Sequence, residues 1–195
     1  MKKIRLIKRW PYTIGLLGML LVLFSVSKAN AQTNYTASSI SIKVSGNSNL
    51  HNWDVKSATA AVSATIITGP AGTITALSAL NFSTPVITLK GEHSGMEKNI
   101  YKALKKDTYP NISFVLKAAT IANNTIKCLG TLTIAGKSTE TELLVFYTIN
   151  TDKTITVTGT KKINMLDYGI EPPTALFGTI KTGKDVVLSF TVVMK

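Results

Sequence analysis

Three stretches in the second half of the chain alternate apolar and polar residues one by one. From Thr125, the residues Ile126, Cys128, Gly130, Leu132 and Ile134 share one face, with Thr125, Lys127, Thr131 and Thr133 opposite and Leu129 an exception. From Lys153, Ile155, Val157, Gly159 and Ile163 form a face interrupted by Lys161, opposed by Thr154, Thr156, Thr158 and Thr160. Near the end, Val186, Leu188, Phe190, Val192 and Met194 alternate with Val187, Ser189, Thr191 and Val193. A period of two marks strands whose faces see different surroundings. The same reading, with Thr, Val and Ile as strand formers, predicts strands at Ser39–Gly46, Val55–Thr68, Thr73–Val86, Ile112–Ile121, Thr125–Ile134, Ser138–Ile149, Lys153–Ile163 and Asp185–Met194. Short connections such as Asn123-Asn124, Ala135-Gly136-Lys137 and Asn150-Thr151-Asp152 imply hairpins and antiparallel pairing.

Two segments break the alternation. Met96, Ile100, Ala103 and Leu104 are spaced for one face of a short amphipathic helix over Gly95–Lys106, with Ser94 as its cap and Glu97 completing a capping box. Met165–Gly183 contains Pro172-Pro173, which a central strand does not accommodate, together with Tyr168, Ile170, Leu176 and Phe177. It reads as an irregular insert packed over one end of the sheet structure. Eight antiparallel strands in one domain leave two solutions, a closed barrel or a two-sheet sandwich. Alternation alone does not choose between them.

Charge and composition narrow the function. Lys2, Lys3, Arg5, Lys8 and Arg9 precede an apolar run from Ile14 to Val26, and Ala29-Asn30-Ala31 follows, the three-part order of an export signal cleaved after Ala31. The run is short for a membrane span, although a retained anchor is the alternative. Residues 1–31 would be the signal peptide and 32–195 a single domain, periplasmic or secreted. The signal carries six basic residues and no acid, so the net charge falls from +12 to +6 without it, and no Arg remains. That argues against nucleic acid, whose recognition favours Arg. The mild basicity fits transient contact with an anionic membrane surface. Two His and one Cys exclude a zinc site built of several such ligands. Cys128, within a strand, reads as a buried apolar thiol, and no spacing of His or carboxylates singles out an acid–base pair. Oligomeric state is not legible, and a homodimer is compatible with the sequence.

Five segments resemble the YceI-like family of exported lipid- or polyisoprenoid-binding proteins. They are Gly46-Asn47-Ser48-Asn49-Leu50-His51-Asn52-Trp53; Met96 through Phe114; Gly130-Thr131-Leu132-Thr133-Ile134-Ala135-Gly136; Lys161–Tyr168 leading to Pro172-Pro173; and Val187–Val193. The resemblance spans about residues 36–194. It implies an all-β fold, an extended eight-stranded antiparallel lipocalin-like β-barrel with a short helix and the Pro-Pro insert. It also implies a lumen for a long apolar chain such as an isoprenoid quinone, a polyisoprenoid or a fatty-acid-like lipid, with no other cofactor and no enzymatic role.

The expected lumen residues are Phe82, Phe114, Phe146, Ile155, Ile163, Leu188 and Phe190. Trp53 would cap one barrel end or stack on the ligand, and Tyr101, Leu104, Tyr109, Leu176 and Phe177 would form the mouth or lid. His51 would orient a turn or touch the headgroup, while His93 would be solvated. A solid-core structural or adhesive module is the main alternative, and an enzyme on an apolar substrate the lesser one. A continuous void inside the strands separates the lipid-binding reading from the solid-core module.

Overall fold

The structure is a computed structural model and describes residues 31–69 and 72–195. The expected export segment lies outside the described residues except for Ala31, where the first strand begins. The strands are β1 (Ala31–Ser48), β2 (Asn52–Ser57), β3 (Ala61–Thr68), β4 (Ile74–Pro85), β5 (Asn111–Ala122), β6 (Thr125–Ile134), β7 (Lys137–Ile149), β8 (Ile155–Asn164), β9 (Thr174–Ala175) and β10 (Ile180–Met194). The single α-helix among the described residues, α1, spans Ser94–Ala103 between β4 and β5.

Every pairing is antiparallel, and the ladder runs β1-β3-β4-β5-β6-β7-β8-β10 before β10 returns to β1 from Ala37↔Met194 to Ser48↔Thr182. The circuit is a closed barrel of eight strands, and the sandwich alternative falls. Closure gives the edge groups of β1 and β10 their partners and leaves no long exposed edge.

The expected single strand Val55–Thr68 is two strands on one edge of β1. The first half of β1 pairs with β3, ending at Thr36↔Ser63, and the second half pairs with β2, beginning at Ile42↔Ser57. Ala58, Thr59 and Ala60 form the bend. Its polar groups find partners in Thr84 Oγ1, which donates to Thr59 O at 2.8 Å, and in the Ser57–Thr88 hydroxyl pair at 2.8 Å.

The cap of α1 also differs from expectation. Nδ1 of His93, rather than Ser94, accepts the Met96 amide at 3.1 Å. Glu97 instead reaches Lys90 Nζ at 3.1 Å. The Tyr101 hydroxyl sits 3.0 Å from the carbonyl oxygens of Ile87 and Leu89 and accepts from Lys90, which ties the helix to the chain leaving β4.

The β7–β8 ladder stops at Val145↔Gly159. Beyond it the two strands separate, and the insert enters there: Tyr168 and Ile170 are buried, with the Tyr168 hydroxyl 3.3 Å from that of Thr141. Lys161, the charged residue in an apolar row, turns its Nζ onto the carbonyl of Glu142 at 2.8 Å. The insert therefore fills a seam in the wall.

Three glycines of the wall carry aromatic rings from the neighbouring strand. Trp53 lies over Gly46, Phe114 over Gly130 and Phe190 over Gly159. With no side chain beneath, each ring lies against the wall rather than across the interior. A methyl group at Gly130 would sit 2.5 Å from the Val115 carbonyl oxygen, whereas at Gly159 its tightest neighbour is Phe190 Cζ at 2.6 Å. Gly130→Ala and Gly159→Ala are each expected to cost about 1–3 kcal/mol by overpacking. Adding Phe190→Leu should recover part of the Gly159→Ala loss, because the obstacle is a side chain. Adding Phe114→Leu should not rescue Gly130→Ala, because backbone remains in the way. Denaturant unfolding of the two double-mutant cycles checks this, and strictly additive costs at Gly159 would refute it.

Candidate functional site

The inward rows of the barrel surround one cavity of about 580 Å³. Its far end is closed by Ile66, Ile74, Ile126, Ile155 and Met194, all buried. These come from strands whose alternation puts Val, Ile and Leu on one face. At the opposite end the lining residues His51, His93, Thr174 and Leu176 are exposed, so the cavity opens there. The mouth is bounded by the β1–β2 turn, the start of α1 and the insert before β10.

Among the described residues no Lys, Arg, Asp or Glu lines the cavity. Its polar residues are Ser48, His51, Thr84, His93, Asn99, Thr174 and Thr182, with the thiol of Cys128. Thr84 is committed to the bend beside it, and most of the rest lie toward the mouth. Burial pushes the Cys128 thiol up to about 11, so at neutral pH it is a protonated apolar group and not a nucleophile.

The two imidazoles are held differently. His51 Nδ1 lies 2.6 Å from the carbonyl oxygen of Asn52, which requires a hydrogen on Nδ1 and leaves Nε2 of the neutral ring as an acceptor. His93 Nδ1 accepts the Met96 amide, which puts the hydrogen of the neutral ring on Nε2 as a donor. The β1–β2 turn is set by Ser48, whose Oγ accepts the amides of Leu50 and His51 and donates to the His51 carbonyl. His51 therefore sits in an ordered turn and at the mouth together, and His93, exposed as expected, also caps α1 and lines the mouth.

Of the residues singled out in the sequence, the cavity brings together Trp53, Phe82, Leu104, Phe114, Ile163, Leu176, Phe190 and His51, along with Ile155 and Leu188. Four stand elsewhere. Phe146 is 57% exposed on the outer face, because Val145 and Tyr147 occupy the inward positions of β7. Tyr101 packs under α1 against Val55, Val86 and Leu89. Tyr109 lays its ring over Gly136 at the β6–β7 turn, where Ala135 (φ 49°) and Gly136 (φ 82°) are both left-handed. Phe177 is fully exposed beside the mouth. Ser48, Asn99, Thr174 and Thr182 were missed, since isolated polar residues at strand ends and on a short helix carry no pattern of their own.

The insert ends in a small hairpin. Thr174 and Ala175 pair with Lys181 and Ile180, and the connecting turn holds Leu176 (φ 48°), Phe177 (φ 57°) and Gly178 (φ 88°) in the left-handed region. For the two residues with side chains this costs roughly 1–2 kcal/mol each. The turn is fastened to the β1–β2 turn by Asn49, whose side chain donates to Thr179 O at 2.8 Å and accepts from Lys181 N at 2.8 Å. Leu50 and Leu176, 66% and 67% exposed, thus belong to neighbouring turns.

The family profile described as the YceI-like domain matches residues 24–194. No curated protein matches the chain. Among solved structures, the fold is similar to BcnA of Burkholderia cenocepacia, with a TM-score of 0.63 at 18% identity over 80% of this chain and 95% of that one. It is also similar to a polyisoprenoid binding domain from Saccharophagus degradans implicated in plant cell wall breakdown, with a TM-score of 0.61 at 12% identity over 83% and 97%. The YCEI protein of Campylobacter jejuni gives a TM-score of 0.54 at 24% identity over 68% and 79%. These likenesses are of fold, and the profile covers nearly the whole barrel together with its mouth: the chain belongs to the YceI-like family.

Proposed function

We propose that the protein binds one long apolar lipid tail in the barrel lumen, with an uncharged headgroup at the mouth. The observation that carries this reading is a continuous lumen with no charged lining residue among the described residues and with its exposed lining residues gathered at one end. A core packed to solid density, as a purely structural module would have, leaves no such void. The similar fold from Saccharophagus degradans is a polyisoprenoid binding domain, which supports the same ligand class.

The lumen sets the size of the tail. If ~150 Å³ accommodates a benzene ring, a volume near 580 Å³ has room for roughly 20 tail carbons. Each methylene moved from water contributes about 0.8 kcal/mol, a gross ~16 kcal/mol, of which ordering the tail consumes a part. Tight binding therefore needs no catalytic group. The acceptor on His51 and the donor on His93 suit a hydroxyl or carbonyl headgroup, as in an isoprenoid alcohol, quinone or quinol. A carboxylate or phosphate would find no cation among the described lining residues. The basic, apolar, small-residue order at the N-terminus supports a place outside the cytoplasm, where a carrier would work between membranes and envelope components.

Mass spectrometry of organic extracts from the purified protein is expected to yield close to one single-tailed lipid per chain. Protein that is reproducibly lipid-free and gains no thermal stability from added isoprenoid alcohols or quinones would overturn the reading. Val157→Phe, which adds bulk to the lumen wall, should weaken tail binding roughly ten- to hundred-fold and favour shorter tails. Titration with an isoprenoid series differing only in tail length measures this.

Cys128 offers an independent readout of the same lumen. With its pKa near 11, only about 0.1% of the thiol is ionised at pH 8, so a charged disulfide reagent should react with the folded protein about a hundred-fold or more slowly than with a free thiol. Bound lipid should slow it further, and denaturant should release one full equivalent. Fast, lipid-insensitive labelling of the folded protein would place the thiol outside a sheltered lumen.

A further inference from the structure

Beside the mouth the protein exposes side chains that its own fold does not use. Phe177 is fully exposed, and Leu50 and Leu176 are about two-thirds exposed on adjoining turns held together by Asn49. Leu176 also lines the cavity, so the apolar surface is continuous from the tip at Phe177 into the lumen. The turn keeps Phe177 outward through two successive left-handed residues with side chains, a conformation that must be compensated elsewhere. Large apolar side chains clustered around an opening mark an interaction surface, unlike single exposed ones scattered on a wall.

The charges around the rim indicate the partner. Lys181 and Lys184 on β10 are exposed beside the hairpin, and Lys98 and Lys102 are exposed on α1. Among the described residues none of these four forms an ion pair. Asp167, Glu171 and Glu92 are also exposed at this end, and Lys105 and Lys137, likewise exposed and in no ion pair among the described residues, keep the balance positive. An apolar tip flanked by flexible cations is the composition of a surface that inserts shallowly among anionic headgroups.

We infer that the rim formed by Leu50, Leu176 and Phe177, with Lys181 and Lys184 behind it, docks on an anionic phospholipid bilayer and places the lumen mouth against the membrane. Phe177 and the two leucines enter the headgroup layer, and the lysines face lipid phosphates. A lipid tail then passes between bilayer and lumen without crossing water. The docking surface rests on the rim's own exposure, and the lumen reading supplies only what passes through it.

The test uses protein purified after export, with the N-terminus of every variant read by mass spectrometry so that all compared chains start alike. Co-sedimentation is measured with vesicles of phosphatidylglycerol and phosphatidylethanolamine and with vesicles of phosphatidylcholine alone. The expected result is binding to the anionic vesicles that weakens with salt and falls roughly ten-fold or more in Leu176→Ser/Phe177→Ser. Lys181→Gln/Lys184→Gln should flatten the salt dependence while leaving tail binding in solution unchanged. Absence of binding at low salt, or binding unaltered by the serine pair, overturns the proposal. So does a dimer in sedimentation velocity that the serine pair dissolves, which would assign the rim to a second copy of the chain. Stoichiometric extracted lipid without vesicle binding would sink docking alone. Vesicle binding lost in the serine pair by a chain that carries no lipid would sink the lumen reading alone.

Discussion

Closure of the ladder between β1 and β10 is the constraint on which the remaining features depend. Eight strands form a cylinder whose interior is near the limit that side chains can fill by themselves. Whether such a barrel is solid or hollow is decided by what points inward. Here the inward rows are mainly Ile, Val, Leu and small residues, and three of the inward aromatics, Trp53, Phe114 and Phe190, lie on Gly46, Gly130 and Gly159 of the adjoining strand. Rings held against the wall leave the axis open, and larger residues at those glycines would push them across it. The void therefore follows from the pairing register, which puts each glycine beside its ring.

The two ends of the cylinder are built differently. At the closed end the connections are tight turns, such as Asn123-Asn124 with both residues left-handed, and inward aliphatic side chains meet. At the open end all the irregular structure gathers: α1, the β1–β2 turn and the insert. The insert has two roles there. Tyr168 and Ile170 fill the seam where β7 and β8 part, and the hairpin at 174–180 carries Leu176 and Phe177 to the rim. The polar groups of the lumen sit near this end, so a tail lies in an uncharged interior while a headgroup meets His51, His93 and their neighbours.

The strands were legible because a half-buried strand repeats every two residues, and the predicted Thr125–Ile134 coincides with β6. Phe146 shows the weakness of residue type as a guide: a large aromatic suggested the interior, but the parity of Val145 and Tyr147 puts it outside. Val55–Thr68 read as one strand because nothing local marks the bend at residues 58–60, which comes from β1 serving two partners along one edge. Ser94 looked like the helix cap by type, yet the extended backbone of His93 brings its ring nitrogen to the Met96 amide.

By itself the sequence determined most of the strands, their antiparallel pairing through short turns, the helix and the insert, since these follow from periodicity and turn chemistry within short windows, while the split of Val55–Thr68 and the short β9 do not. Alternation left barrel and sandwich open and the family resemblance pointed to the barrel; the tertiary structure closed it, left the lumen open and ordered His51, His93, Leu176 and Phe177 around one mouth. Those outcomes depend on pairs such as Ala37 with Met194 and Asn49 with Lys181, distant along the chain. No local pattern carries the register that joins them.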